Sequence, residues 1–321
     1  MSSAGAPRIV SLLPSATEIV CAVGARDQLV GVSHECDYPA GVEALPRLTR
    51  VRRELPRPSG AIDRAVREIL ADALTVYEVD VPGLRAAAPD VIVTQDLCDV
   101  CAVSLDDVRA ALRELAAADV EVVSLQPGRL GDVWGDVRRV GAALGRGDEG
   151  EEAARGLEAR CTALAERSAA ATARPAVLTI EWLDPIMVGG TWMPELVEIA
   201  GGHTLVTKPG EHAPTLELDA LSELAPEVVL VKPCGFDLAR SGEELALLKE
   251  KLPWESWPAV REDRVFLADG NAFFNRPGPR LVESAEILAA CVQPELFGDL
   301  RERHAAHFRR VAKDLSLHAV G

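Results

Sequence analysis

The sequence predicts an α/β protein with two α/β lobes joined by a long rigid helix and a ligand cleft between the lobes. Three observations point there. Short apolar runs of strand length alternate with amphipathic helical stretches from Ile9 to Ser124 and again from Ala176 onward, the pattern of helix-covered, largely parallel sheets. Between these regions lies a segment without strands, in which 130–144 and 148–170 read as helices. The loops after several strands carry cysteine, histidine or aromatic residues, as expected where strand carboxyl ends converge on a ligand. The division that follows is an N-terminal lobe over 1–146, a connecting helix over 147–172 and a C-terminal lobe over 173–321.

Each element has its own signal. Arg8-Ile9-Val10-Ser11-Leu12-Leu13 is a buried strand, and Pro14-Ser15-Ala16-Thr17-Glu18 opens a helix in which Ser15 and Glu18 have the spacing of a capping box. The free N–H groups at that helix start should point into the cleft and suit a polar or anionic ligand group. Gly24 stops the helix. The second strand ends at Val32, ahead of Ser33-His34-Glu35-Cys36-Asp37-Tyr38-Pro39, a short loop dense in potential ligand groups. Residues 49–60, with Arg50, Arg52, Arg53 and Arg57, read as an irregular surface loop, either solvated or clamping an anionic ligand. Helices over 61–73 and 82–88 lead to the strand Val91-Ile92-Val93 and the turn that carries Cys98 and Cys101. A helix over 105–118 and a strand from Val120 to Ser124 follow.

The connecting helix places Ala154, Leu157, Cys161 and Leu164 on one face. At about 1.5 Å per residue it spans on the order of 30 Å. Gly156 costs it about 1 kcal/mol relative to Ala, so tertiary packing must hold it.

The alternation resumes with a strand over 176–180 and the loop Glu181-Trp182-Leu183-Asp184-Pro185. Gly189-Gly190-Thr191-Trp192 precedes a helix with Pro194 in its first turn and Gly201-Gly202 past its end. Trp182 and Trp192 suit an apolar wall for a planar ligand, with core packing as the alternative. His203 and His212 read as surface residues. A helix over 216–224 and a strand over 228–231 lead to Lys232-Pro233-Cys234-Gly235-Phe236. The strand over 264–267 leads to a glycine- and proline-rich loop, 269–280, in which Phe273 and Phe274 form a second candidate wall. Helices over 279–291 and 294–314 and a frayed tail over 315–321 complete the prediction.

Composition bounds the function. A chain of 321 residues, 48% hydrophobic and 26% charged, can bury two substantial cores. With 34 basic against 50 acidic residues the net charge is −16, which argues against a nucleic-acid-binding surface. No apolar stretch approaches the roughly 20 residues that cross a bilayer. The N-terminus shows neither a basic n-region nor an apolar h-region, so the expected location is cytoplasmic, or periplasmic only if a leader has been removed. A monomer with a small-molecule partner is expected.

Seven cysteines form an odd set, better read as ligands and core residues than as a disulfide frame. Cys21, Cys161 and Cys291 lie in helical patterns and read as inert. Cys36, Cys98, Cys101 and Cys234 lie on three strand-end loops and form a candidate four-sulfur site for zinc or an iron–sulfur cluster, with His34 able to replace one thiolate.

Several of these stretches carry a family resemblance. Arg8-Ile9-Val10-Ser11-Leu12-Leu13-Pro14-Ser15-Ala16-Thr17-Glu18, Val30-Gly31-Val32-Ser33 and Asp37-Tyr38-Pro39 resemble the opening of cobalamin- and siderophore-type ABC-transporter solute-binding proteins, the helical-backbone class of periplasmic binding proteins. Ala88-Pro89-Asp90-Val91-Ile92-Val93 and Arg276-Pro277-Gly278-Pro279-Arg280 extend the resemblance over nearly the whole chain. A narrower resemblance is to the cobalamin-binding branch that often lacks an export signal. It is carried by the loop from His34 to Pro39, by Cys98 and Cys101, by Trp182-Leu183-Asp184-Pro185, by Pro233-Cys234-Gly235-Phe236 and by Asp269-Gly270-Asn271.

The resemblance implies two lobes joined by a long helix, with a ligand held between them and little hinge closure. It implies a cobalamin or related corrinoid as ligand, with Trp182, Trp192, Phe273 and Phe274 against the macrocycle, His34 near cobalt and Tyr38 in the same site. In exported members an acidic residue on each lobe docks to permease arginines. Here Pro82 and Asp219 stand at those positions, which with the missing export sequence makes docking to an ABC permease doubtful. A binding protein is the first reading and a cytoplasmic metal-cofactor protein the second. An enzyme using Glu35, His34 or a reactive cysteine is the third, without a complete triad or phosphate loop to support it.

Overall fold

The computed structural model describes residues 6–71, 76–96, 104–115 and 119–320. It divides into two compact units, the first comprising Met1–Pro56, Arg64–Pro127 and Gly131–Leu157, the second Arg57–Asp63, Gly128–Leu130 and Glu158–Gly321. Both are α/β, as expected.

In chain order the first part of the molecule runs β1 (Ile9–Ser11), α1 (Pro14–Ala22), β2 (Leu29–Val32), β3 (Thr49–Val51), α2 (Ser59–Ala71), β4 (Tyr77–Val79) and α3 (Val81–Ala87). It continues with β5 (Val91–Gln95), α4 (Leu105–Glu114), β6 (Glu121–Leu125), α5 (Leu130–Ala143) and α6 (Gly147–Ser168). The main sheet of the first unit is parallel, in the order β2-β1-β5-β6. Its two central strands are buried at every position, which is why they read as unbroken apolar runs.

Two expectations fail here for local reasons. Helix α1 begins two residues earlier than a cap at Ser15 would set it, with Pro14 at its first position and Leu13 as an N-cap that makes no side-chain bond. Proline has no N–H to leave unsatisfied there, so it takes the first position. Ser15 then falls inside the helix with its Oγ buried and unpartnered, Glu18 is buried too, and no capping box forms. The arginine-rich stretch is not irregular throughout, because β3 pairs antiparallel with β4. Arg50 and Arg52 bond Glu78, Arg53 bonds Glu68, and Arg57, in the second unit, bonds Glu243. Carboxylates of this chain therefore occupy the guanidinium groups that an anion clamp would need.

The second part of the molecule runs β7 (Ala176–Leu183), β8 (Ile186–Val188), α7 (Met193–Ile199), β9 (His203–Thr204), α8 (Leu218–Ser222), β10 (Val228–Val231) and α9 (Leu238–Gly242). It ends with α10 (Ala246–Lys251), α11 (Pro258–Arg261), β11 (Val265–Ala268), α12 (Leu281–Val292), α13 (Gly298–Arg303), β12 (Phe308–Val311) and β13 (Leu317–His318). The sheet order is β13-β12-β11-β10-β7-β8, with β9 beside β7. β7, β10 and β11 are parallel, while β8 pairs antiparallel with β7, β12 with β11, and β13 with β12.

The expected helix over 294–314 is thus a short helix followed by β12, a strand paired on both sides, and part of the expected frayed tail is the edge strand β13. Leu300, His304, Phe308 and Val311 recur at intervals of three and four, which suits a helix, yet Phe308 and Val311 are buried in the sheet and Phe308 packs on Phe266. The core of the second unit gathers Leu178, Ile180, Val229, Val231, Val265 and Leu267 with Trp254 and Trp257 from the helical layer.

Candidate functional site

In a parallel sheet the carboxyl ends of neighbouring strands lie at one edge, so the loops that follow them share a surface. In the first unit the loop after β2 carries His34. Its Nδ1 lies 2.7 Å from Thr49 Oγ1, and its backbone N–H donates to the same oxygen at 3.0 Å. The Thr49 hydroxyl donates its one proton to Ser33 Oγ at 3.0 Å. With the Thr49 proton given to Ser33, the contact to Nδ1 takes the Nδ1–H tautomer, in which the lone pair of a neutral imidazole is on Nε2. Burial and the nearby Arg47 guanidinium both lower the His34 pKa, so the ring is neutral at neutral pH. Tyr77 packs against the imidazole with centroids 5.2 Å apart and donates its hydroxyl to Glu35 Oε1 at 3.0 Å. Tyr38, in the same loop, is 46% exposed.

In the second unit Trp182, at the end of β7, is half-buried and packs on Phe236 with centroids 5.2 Å apart. Its indole N–H donates to Asp184 O at 3.2 Å. On Phe236 lies the Arg240 guanidinium, 4.3 Å from the ring centre. The two rings are tilted to each other; Phe236 is buried, and Trp182 keeps a partly exposed face.

The other aromatic residues are placed differently. Phe274 is 0% exposed and Trp192 nearly buried, so neither offers a face to a ligand. Trp192 donates its indole N–H to Phe274 O at 2.8 Å, and Ser284 Oγ accepts from Phe274 N at 2.9 Å. Together they hold Phe274 at φ +66, a left-handed conformation costly for a bulky side chain. The reading of these two residues as cleft walls is corrected: they brace a strained loop. Phe273 is buried against His307, with centroids 4.8 Å apart, and Arg280.

The four-sulfur site is not assembled among the described residues. Cys98 and Cys101 lie outside them. Cys36 is buried in the first unit with its Sγ 3.1 Å from Thr17 Oγ1, and Cys234 is a half-buried residue of the second unit. Among the described residues no group of three or more His, Cys, Asp or Glu side chains stands where it could hold a metal ion. Burial pushes the Cys21 thiol up to about 11 and that of Cys161 up to about 12, and raises Cys291 as well, in keeping with inert helical cysteines. His203 and His212 are exposed.

Sequence reasoning missed Thr49, Tyr77, Phe236 and Glu181. Thr49 and Tyr77 meet His34 through the β3–β4 ladder, which no local pattern announced. A lone lysine closing the apolar run Val228-Val229-Leu230-Val231 was the one available sign of a buried charge at Lys232.

Comparison with known proteins places this geometry. Residues 9–272 match the family model described as periplasmic binding protein. An uncharacterized ABC transporter substrate-binding lipoprotein, YvrC of Bacillus subtilis, is 21% identical over 296 residues, covering 90% of this chain and 81% of the relative. A vitamin B12-binding protein of Photorhabdus laumondii is 22% identical over 282 residues, covering 88% and 86%. The crystal structure of a periplasmic heme-binding protein from Pseudomonas aeruginosa superposes with a TM-score of 0.66 at 23% identity, over 90% of this chain and 93% of that one. At that identity the likeness is one of fold. The cytoplasmic location expected from the N-terminus is overturned by these matches, since the family is one of periplasmic proteins and YvrC is a lipoprotein. A match over residues 9–272, joined to two α/β units with ligand-type side chains on the loops after their strands, shows that the chain belongs to the periplasmic binding protein family.

Proposed function

We propose that this chain is the substrate-binding protein of an ABC transporter and that its substrate is a metal tetrapyrrole, a cobalamin-like corrinoid in the first place. The observation that carries the reading is the contact of His34 Nδ1 with Thr49 Oγ1. Cobalt and iron both take a neutral imidazole nitrogen as a ligand, and Thr49 holds the ring through Nδ1, so that Nε2 is the nitrogen left for a metal. Tyr38 lies in the same loop, and the second unit by itself offers a half-buried indole, Trp182, of the kind that packs on an apolar ring system. The relatives named as vitamin B12-binding proteins support a corrinoid, and the heme-binding structures of the same fold support heme as the second reading.

The test is a parallel titration of the full chain with hydroxocobalamin and hemin, followed by calorimetry and visible absorption. One ligand is expected to bind saturably with a nitrogen-ligated spectrum. His34→Ala should lose that spectrum, and Thr49→Val should weaken binding by about tenfold, the usual effect of removing the partner that orients a metal-binding histidine. Absence of saturable binding by either ligand would overturn the reading.

A further inference from the structure

We infer that Lys232 is a positioning residue of the second unit's ligand platform, its buried ammonium joining the end of β7 to the loops after β10 and β11. The inference rests on the tetrapyrrole reading for its ligand, and on the second unit alone for its geometry. Lys232 is the first residue past β10 and is 0% exposed. An ammonium removed from water is strongly unfavourable unless paired and hydrogen-bonded, so its partners are obligatory. They come from β7 and from the loop after β11, on either side of β10. Nζ donates to Glu181 Oε2, in β7, at 2.8 Å, and to Asn275 Oδ1, in the loop after β11, at 2.8 Å. The Asn275 amide returns the contact, donating to Lys232 O at 3.1 Å and to Gly270 O at 2.9 Å. The backbones close the same knot. Lys232 N–H bonds Ile180 O at 2.8 Å and Cys234 N–H bonds Glu181 O at 3.0 Å. Gly270 lies so close that a Cβ there would sit 2.1 Å from Pro233 O and 2.7 Å from Lys232 O.

The consequence falls on the platform. Trp182 follows Glu181 directly, and Phe236 lies in the loop that Lys232 begins. Both rings of the pair are thus held by chain segments tied to one ammonium. Locking the rings before the ligand arrives removes the ordering cost that binding would otherwise meet.

The experiment uses the full chain. Removing both charges together, in Lys232→Met/Glu181→Gln, avoids leaving either one buried and unpaired. Its readouts are thermal unfolding, the near-ultraviolet circular dichroism band that Trp182→Phe assigns to the Trp182–Phe236 pair, and titration with whichever of hydroxocobalamin or hemin the parent binds. Positioning predicts a parent-like melting temperature, loss of the band, and binding weakened by about tenfold or more. An unchanged band with unchanged affinity overturns the inference. Should the double variant fail to fold, Asn275→Ala decides, since it keeps the ion pair and cuts the tie to the third loop; a weaker band and weaker binding support positioning, and parent values of both refute it. Should the parent bind neither tetrapyrrole, the function fails separately, and the dichroism band still tests the role of Lys232.

Discussion

At the residue scale, chemical type was legible and partnership was not. His34 stood out as an imidazole in a short polar loop, but its tautomer depends on Thr49, a residue 15 positions away that reaches it across β3. The walls suggested by Trp192 and Phe274 show the same limit from the other side: an aromatic beside a loop can face a ligand or hold the loop, and burial alone decides. Asp136 gives a residue-scale test that sequence could not have suggested. It is buried in α5, one carboxylate oxygen bonded to Arg139 and the other without a partner. Burial raises its pKa from 3.8 to about 6, the Arg139 guanidinium opposing the shift. The folded state therefore holds a proton that the unfolded chain has already released, and stability falls as pH rises through that window. At pH 7.5 Asp136→Asn is expected to gain about 2 kcal/mol in urea unfolding, with little gain near pH 4. Equal gains at both pH values would contradict the assignment.

At the scale of elements, the strands of both sheets were legible because their central members are buried on both faces and read as continuous apolar runs. Ends and edges were not. The helix start at Pro14 followed proline's missing donor rather than the Ser15–Glu18 spacing, and β12 has a spacing that fits a helix as well as a strand. The packing of α5 on α6 separates glycines that look alike in sequence. A Cβ at Gly141 would sit 2.7 Å from Gly150 Cα and 2.9 Å from Arg146 O, whereas nothing lies within 4 Å of one at Gly135. Gly141→Ala should cost about 1–3 kcal/mol, the usual penalty of overpacking, while Gly135→Ala should gain up to about 1 kcal/mol from helix propensity. Thermal unfolding of the two variants reads the difference, and a shared sign would refute the close contact. Ser104 caps α4 by accepting from Asp107 N at 3.1 Å, and Ser104→Ala is expected to lower stability by about 1 kcal/mol.

At the scale of the whole molecule, the alternation of strands and helices predicted two α/β units, and the opening and closing motifs predicted the family. Location was misjudged because a leader's signals were sought in the chain itself, where relatives carry the information instead. Two members of the four-cysteine site, Cys98 and Cys101, lie outside the described residues, and whether loops meet is not determined by spacing along a chain. What remains to be decided is whether the His34 nitrogen meets the metal of a bound tetrapyrrole. Electron paramagnetic resonance of the chain, labelled with nitrogen-15 histidine and loaded with cob(II)alamin, reads that bond directly. The account predicts a doublet splitting from the labelled imidazole that disappears in His34→Ala. The triplet of cobalamin's own nitrogen-14 base, or no nitrogen splitting at all, would contradict it.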